Sequence, residues 1–568
     1  VMSMIACVVG LLVGGAAIAF LNLINFFQTI FIGIGGERIS TYIATLPAWR
    51  VILTPSLGGL LIGLLLYKFM SDQRPKGPAD VIAACEGQGA KMSAKDGILG
   101  VITSALSIGA GASVGREGPA VHMGASLSVW LGGFLRLSQS NMRILLGCGV
   151  ASAISASFNA PIAGALFAQE VILSHYALKA FAPVVIASVA GAVVSHQVLG
   201  NLTVFALPSF TFGSYAEFPA FGILAVLCGF LGILFVRLIL DLQKILKKTA
   251  LPEWLKPAIG GAFVGGIALF FPQVMGVGYE ATDLALKGQY AMALLAGLFF
   301  AKFAATVLSQ GFGFAGGVFS PSLVIGAMFG GLFGFMVEPV YQGAFSGVSA
   351  YSLVGMATMG AGVLGAPIST TLIVFELTGN YSMTIVVMFG CVLATLVNDQ
   401  CHKQSFFLEQ LKRRGIDLFN NYSQIVLNKM QVKDHVRRAG VYVSVDTKLS
   451  RVRHLLMKSP SGVIFVVAHN RTLYGTIYWE ELPVDILSGE FDEWFLACDL
   501  ANSKPPVLQT TDPLDIAQRI FDESQVSQIA VVDPAQDRAF VGCLDEREIM
   551  LAYNHALLER RREEQGVH

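Results

Sequence analysis

Long apolar runs at Met4–Ile34, Val51–Met70, Phe221–Ile239 and Ala291–Ala305 recur in the first 400 residues, with others that are shorter or broken by glycine. A run of roughly 17–25 apolar residues crosses a bilayer as a helix, and in lipid only helices and closed barrels satisfy their own backbone polar groups. This part of the chain is therefore confined to a polytopic all-α membrane protein, and its broken helices must line protein or a cavity. Composition agrees, with 54% hydrophobic residues, 13% charged and 61 glycines. The charges are uneven: 20 of the 38 Lys+Arg and 23 of the 38 Asp+Glu fall in residues 401–568. A soluble domain follows the membrane part. The opening run has no basic n-region and no small-residue cleavage site, and reads as a helix rather than a signal peptide.

Several function classes are disfavoured at once. A net charge of +0 argues against nucleic acid as a partner. The eight cysteines form no C-x-x-C pair, so neither a metal site nor a disulfide framework is indicated. No nucleophile–base pair stands out, which makes an enzyme a poor reading. Basic clusters at Lys244, Lys247, Lys248 and at Lys412, Arg413, Arg414 face the cytoplasm by the positive-inside rule, which puts the soluble tail inside the cell.

An internal repeat organises the membrane part. SIGAGASVGREGP at 107–119 and SQGFGFAGGVFSP at 309–321 share S-x-G-x-G-x-x-x-G-x-x-x-P, and NAPIAGALFAQE at 159–170 aligns without a gap on GAPISTTLIVFE at 365–376. The offsets, 202 and 206 residues, imply two homologous halves. Paired glycine- and proline-interrupted segments point to a binding site at the repeat interface. Proline suits the first turn of a helix, so Pro119 and Pro321 mark helix starts, with Pro161 and Pro367 as two more. Helix N-termini carry unpaired N–H donors and about half a positive charge, and several converging would bind an anion weakly enough to release it. The alternative is that the glycines only permit close helix packing.

Glu117 stands out within this pattern. A carboxylate at bilayer depth is costly and is by default a functional residue. Placed just ahead of a helix N-terminus, it can occupy an anion site as a tethered competitor and leave when protonated. The alternative role is a salt bridge to Arg116. Glu170 and Glu376, at equivalent ends of the repeat, read as structural carboxylates that cap or pair helix termini.

GREGPAVH at 115–122, FNAP at 158–161, GGVFSP at 316–321 and FELTGN at 375–380 resemble the CLC chloride channels and chloride/proton antiporters over about residues 1–411. The resemblance implies inverted-topology halves, a homodimer with one anion pathway per subunit, Glu117 as the external gating glutamate, and an anion site involving Gly115, Arg116, Gly118 and the amides of Val318 and Phe319. Three positions depart from the family pattern. Lys76 stands where a serine ligand belongs, either lining the pathway or snorkelling to the cytoplasmic surface. Phe407 replaces the central tyrosine, and Val171 replaces the inner proton-transfer glutamate.

After Arg414 the pattern changes to short strands and amphipathic helices, given twice, which resembles an α/β pair of CBS domains. The ribose signature of such domains survives only as GTIYWEE and GCLDERE. Tyr478 and Asp545 stand in place of hydroxyls, Glu481 and Glu548 in place of aspartates. Adenine nucleotide at the pair is thereby disfavoured and a structural role favoured; no other cofactor is expected. The expected organisation is a membrane domain at 1–411, a linker at 412–430, CBS repeats at 431–485 and 499–556 around a linker at 486–498, and a charged tail at 557–568.

The reading is a homodimeric anion transport protein of a plasma (inner) membrane, chloride its main substrate, with cytoplasmic CBS domains. Val171 and Phe407 favour passive conduction over proton antiport through a water-based inner route. The rival of another class is a CBS-bearing membrane sensor with a vestigial pathway.

Overall fold

A computed structural model describes the chain except residues 37–38, 88–89, 174–177, 201–212, 342–344, 403, 417–426, 428–429, 438–439, 460, 484–491, 493, 525, 536–538 and 566–568. Much of the expected linkers at 412–430 and 486–498, and the end of the charged tail, lie outside the described residues. The chain divides into two compact units, Val1–Asp417 and Leu418–His568.

The first unit is helical, and eight of its described helices are long and apolar enough to cross a membrane. Its centre is a two-residue antiparallel bridge between the repeats. The Gly115 amide donates to the Gly317 carbonyl (2.8 Å) and the Gly317 amide to the Gly115 carbonyl (2.7 Å). Reciprocal bonds between equivalent residues are what a local twofold axis demands. Equivalent side chains obey the same axis: the Ser113 amide donates to Ser309 Oγ and the Ala315 amide to Ser107 Oγ, both at 3.1 Å.

Close packing repeats as well. A Cβ on Gly124 would sit 2.4 Å from the Gly149 carbonyl oxygen, and one on Gly326 would sit 2.3 Å from that of Gly355. Small residues let these helix pairs approach backbone to backbone. The bridging glycines serve the interface between halves, and these others serve packing, so both readings of the glycine pattern apply at different positions.

The repeat also exchanges carboxylates. Glu170 accepts from the amides of Ile368 (3.0 Å) and Ser369 (2.8 Å), in the first turn of the helix Pro367–Thr378. Glu376 accepts from Ile162 (2.9 Å) and Ala163 (2.8 Å), in the first turn of the helix Pro161–Phe167. Each half thus caps a helix of the other, satisfying donors that a helix leaves unpaired and opposing its dipole. Glu170 leaves its helix through a π-helical turn, Ala168–Leu173.

The second unit holds two three-stranded sheets of identical design. In the first, Val463–Val467 pairs parallel with Tyr442–Ser444 and antiparallel with Leu473–Tyr478; in the second, Gln528–Asp533 pairs parallel with Val507–Gln509 and antiparallel with Ala539–Asp545. A helix follows the first strand of each, Leu449–Lys458 and Leu514–Ser524. The repeats exchange edge segments. Val432 is buried in the core of the second sheet, and the Arg437 amide donates to the Cys543 carbonyl, so this stretch belongs to the second repeat and not to the first as its position in sequence suggests. Ala497 lies in the core of the first, where Asn502 bridges Thr476. Chain connectivity could not reveal this exchange, because apolar residues near a boundary fit either core.

Replacing Glu170 with Ala removes a carboxylate from two backbone donors and is expected to cost roughly 2 kcal/mol, the size of a charge-assisted hydrogen bond. Thermal unfolding of the detergent-solubilised protein checks this; an unchanged midpoint would contradict the cap.

Candidate functional site

Four helix starts surround one pathway. A narrow cavity of about 10 Å³ is lined by Pro78, Glu117, Gly118, Val318, Phe319 and Phe407, among others. A larger one of about 160 Å³ shares Pro78, Val318 and Phe407 and extends to Lys76, Phe406 and Arg414. The helices Pro78–Gly87, Glu117–Phe134, Phe319–Val337 and Phe406–Arg413 all begin here. This corrects the assignment of Pro161 and Pro367 to the anion site. The N-termini at those prolines are occupied by the carboxylates of Glu376 and Glu170, and the third and fourth starts at the cavities are Pro78 and Phe406.

Glu117 is 2% exposed at the first position of its helix. Its Oε1 accepts from the Tyr279 hydroxyl at 2.6 Å and from Ser320 Oγ at short range. Its Oε2 has no hydrogen-bond partner and lies 2.8 Å from where a Cβ on Gly115 would stand. Glycine at 115 therefore leaves room for the carboxylate. Arg116 Nε stands 4.0 Å from Oε1, too far for a hydrogen bond. Its guanidinium instead covers the Tyr279 ring at 4.9 Å, a cation–π contact, and it lines a separate cavity of about 40 Å³ with Tyr279, Gln28 and Gln273.

The remaining sequence candidates divide. Gly118, Val318, Phe319 and Phe407 line the narrow cavity. Gly115 is corrected as an anion donor, since its N–H is bonded to Gly317; Arg116 faces the other cavity. Lys76 lines the larger cavity, but its ammonium is bound by Asp72 at 2.6 Å, which offsets its charge. Arg74, Lys247, Lys256 and Arg414 join it there, against Glu253 as the single acidic lining residue among the described residues. A basic mouth raises the local anion concentration. Val171 is 9% exposed within the π-helical turn.

Sequence reasoning missed Tyr279 and Ser320. Ser320 occupies the repeat position of Gly118, so comparing the halves at that column could have found it. Tyr279 lies in no repeated motif.

In the second unit the four ribose-position residues do not share one site. Tyr478 and Glu481 line a cleft of about 890 Å³, where Tyr478 packs with Phe465 and Cys543 and burial pushes its hydroxyl up to about 12. Asp545 accepts from Arg437 at 2.6 Å, with Glu548 at 3.9 Å from the same guanidinium.

Residues 58–399 match the family model described as voltage gated chloride channel. The chain belongs to the voltage-gated chloride channel (CLC) family. A relative named a putative chloride channel protein ClcB-like, from Ralstonia nicotianae, is 32% identical over 406 residues, covering 71% of this chain and 94% of the relative. The crystal structure of a slow cyanobacterial chloride/proton antiporter superposes with a TM-score of 0.66 at 23% identity, covering 73% of this chain and 97% of that one. That of a eukaryotic CLC transporter gives 0.61 at 20% identity, covering 96% and 97%. At such identities the structures establish the CLC fold alone. As a CLC protein the chain is a multi-pass membrane protein of anion transport, not an enzyme.

Gly115→Ala would press a methyl group against Glu117 Oε2 and, at 3.1 Å, against Pro321 Cδ. The carboxylate is the movable neighbour, so the variant is expected to displace it and raise anion flux at neutral pH in liposomes at least several-fold.

Proposed function

We propose that the protein conducts chloride passively through this pathway, with Glu117 as its gate. The observation that carries the reading is a buried carboxylate seated between the starts of the Glu117 and Phe319 helices, bordering a cavity lined by apolar groups and helix N-termini. A carboxylate there occupies the place of a permeant anion; protonation removes its charge and frees the place. Helix dipoles hold an anion without a full counter-charge, which suits rapid release.

Passive conduction is favoured by two side chains. Val171 cannot carry a proton, and Phe407 brings no hydroxyl to the cavity it lines. The second reading, proton antiport through water, has one observation in its favour. The Gln169 amide beside Val171 is 1% exposed with both heteroatoms unpaired, and buried amides of this kind are satisfied by water.

The protein is further proposed to act as a homodimer in the plasma (inner) membrane, with the second unit as a cytoplasmic CBS pair. The basic residues Lys247 and Arg414 at the larger cavity support the cytoplasmic assignment of that side. The pair is proposed to be structural, because the Arg437 ion pair engages Asp545.

Flux from purified protein in liposomes separates transport from a sensor with a vestigial pathway. The reversal potential under a proton gradient at fixed chloride then tests coupling. A value at the chloride equilibrium potential is expected; displacement by the pH gradient means proton exchange. Glu117→Gln is expected to keep anion flux and lose its pH dependence. Calorimetry of the full chain with ATP is expected to give no binding tighter than about 10 μM, roughly −7 kcal/mol.

A further inference from the structure

We infer that Tyr279, with Ser320, is a latch that holds the anionic form of Glu117 in the pathway and sets the pH at which it leaves; the inference rests on Glu117 being the gate. Both hydroxyls donate to one carboxylate oxygen, Tyr279 at 2.6 Å and Ser320 at short range. Hydrogen bonds donated to a carboxylate favour its charged form, and they weaken when the acceptor becomes a neutral acid. The latch is therefore strong when Glu117 is charged and weak once it is protonated. No backbone cap of the kind seen at Glu170 and Glu376 is needed, and the second oxygen, Oε2, is left unpaired.

The tyrosine is placed by a separate device. It is the first residue of the helix Tyr279–Leu286, after Gly278 at φ +97°. Lys302, fully buried, donates from Nζ to the carbonyls of Val274 and Gly276, both at 2.9 Å, and the Gly276 amide reaches the Gly111 carbonyl at 3.2 Å. The loop ahead of Tyr279 is thus pinned from two sides, while Arg116 covers the ring. Tyr279 lines the 40 Å³ cavity and Glu117 the narrow one, so their hydrogen bond joins the walls of the two.

The charged and titratable neighbours are few. Arg116 stands 4.0 Å from Oε1. Farther out are Glu280, bound by Ser40 and Thr41, and Lys302, bound by carbonyls. Asp80, bound by Arg74 and Arg414, and buried His122 lie on the two helices flanking the narrow cavity. The Phe319 helix carries no ionisable side chain through Val337.

The test is the pH dependence of chloride flux from liposomes for Tyr279→Phe, Ser320→Ala, Glu117→Gln and the Glu117→Gln/Tyr279→Phe double variant. Loss of one donor to the charged form makes protonation easier. The activation midpoint of Tyr279→Phe should rise by about one pH unit, a tenfold change, and its half-saturating chloride should fall as the tethered competitor weakens. Ser320→Ala should move both in the same direction. The double variant should match Glu117→Gln, since the latch has nothing to hold. A Tyr279→Phe midpoint equal to the native one, with Glu117→Gln insensitive to pH, overturns the latch and leaves the gate intact. A Glu117→Gln protein that still responds to pH overturns the gate itself, and the latch with it.

Discussion

The reciprocal bridge between Gly115 and Gly317 is the contact on which the pathway depends. Two backbone bonds on a local twofold axis draw the halves together, and they place the residues after each glycine side by side. Position 117 of one half is thereby set beside 319 and 320 of the other. The scaffold is symmetric and its chemistry is not. Glu117 corresponds to Phe319, and Gly118 to Ser320, so one half supplies the carboxylate and the other a hydroxyl to receive it.

Glu117, Glu170 and Glu376 each meet a helix start in this bundle, and their bonding separates their roles. Glu170 and Glu376 each accept two backbone amides through both oxygens. Releasing either would strand two helix-start amides, one of them on a buried residue, Ala163 or Ser369, where the loss costs on the order of 1–3 kcal/mol. Glu117 binds side-chain hydroxyls through one oxygen, and its other oxygen is unpaired. Hydroxyls rotate and find other partners, and Tyr279 and Ser320 already lie 3.0 Å apart. A carboxylate held this way can leave without orphaning the backbone. The two capping glutamates are fixed by the same criterion that makes the third releasable.

Much of this was legible in the sequence because the repeat displays it twice. Gapless motifs at nearly equal offsets made the halves, the glycines at their interface and the matched capping glutamates readable without structure. What failed was assigning helix starts. Pro161 and Pro367 look as suited to an anion as Pro119 and Pro321, and only the positions of Glu376 and Glu170 show those ends to be filled. Pro78 and Phe406 lie outside the repeated motifs, so the internal repeat could not point to them, and only the family resemblance brought their neighbours Lys76 and Phe407 to the pathway. Tyr279 was illegible for a related reason. It reaches Glu117 across 162 residues, and its place depends on a glycine turn and a buried lysine whose contacts are tertiary. In the tail, composition gave the paired sheets but not the exchange of edge segments.

The larger cavity shows how the pathway treats charge. Lys76, Arg74 and Arg414 stand at its wall, yet Asp72 and Asp80 bind them at 2.6–3.3 Å. A bare ammonium 4 Å from an anion would attract it by about 4 kcal/mol at an effective dielectric near 20, deep enough to slow exit. Pairing these three cations with carboxylates lowers that well and leaves a modest positive bias at the mouth. Deeper in, the narrow cavity is lined by Gly118, Val318, Phe319 and Phe407 without any cation. Attraction there comes from helix starts alone. On the proposed pathway an anion moving inward from the mouth would exchange screened charges for dipoles, and the competitor it would meet is the protein's own Glu117.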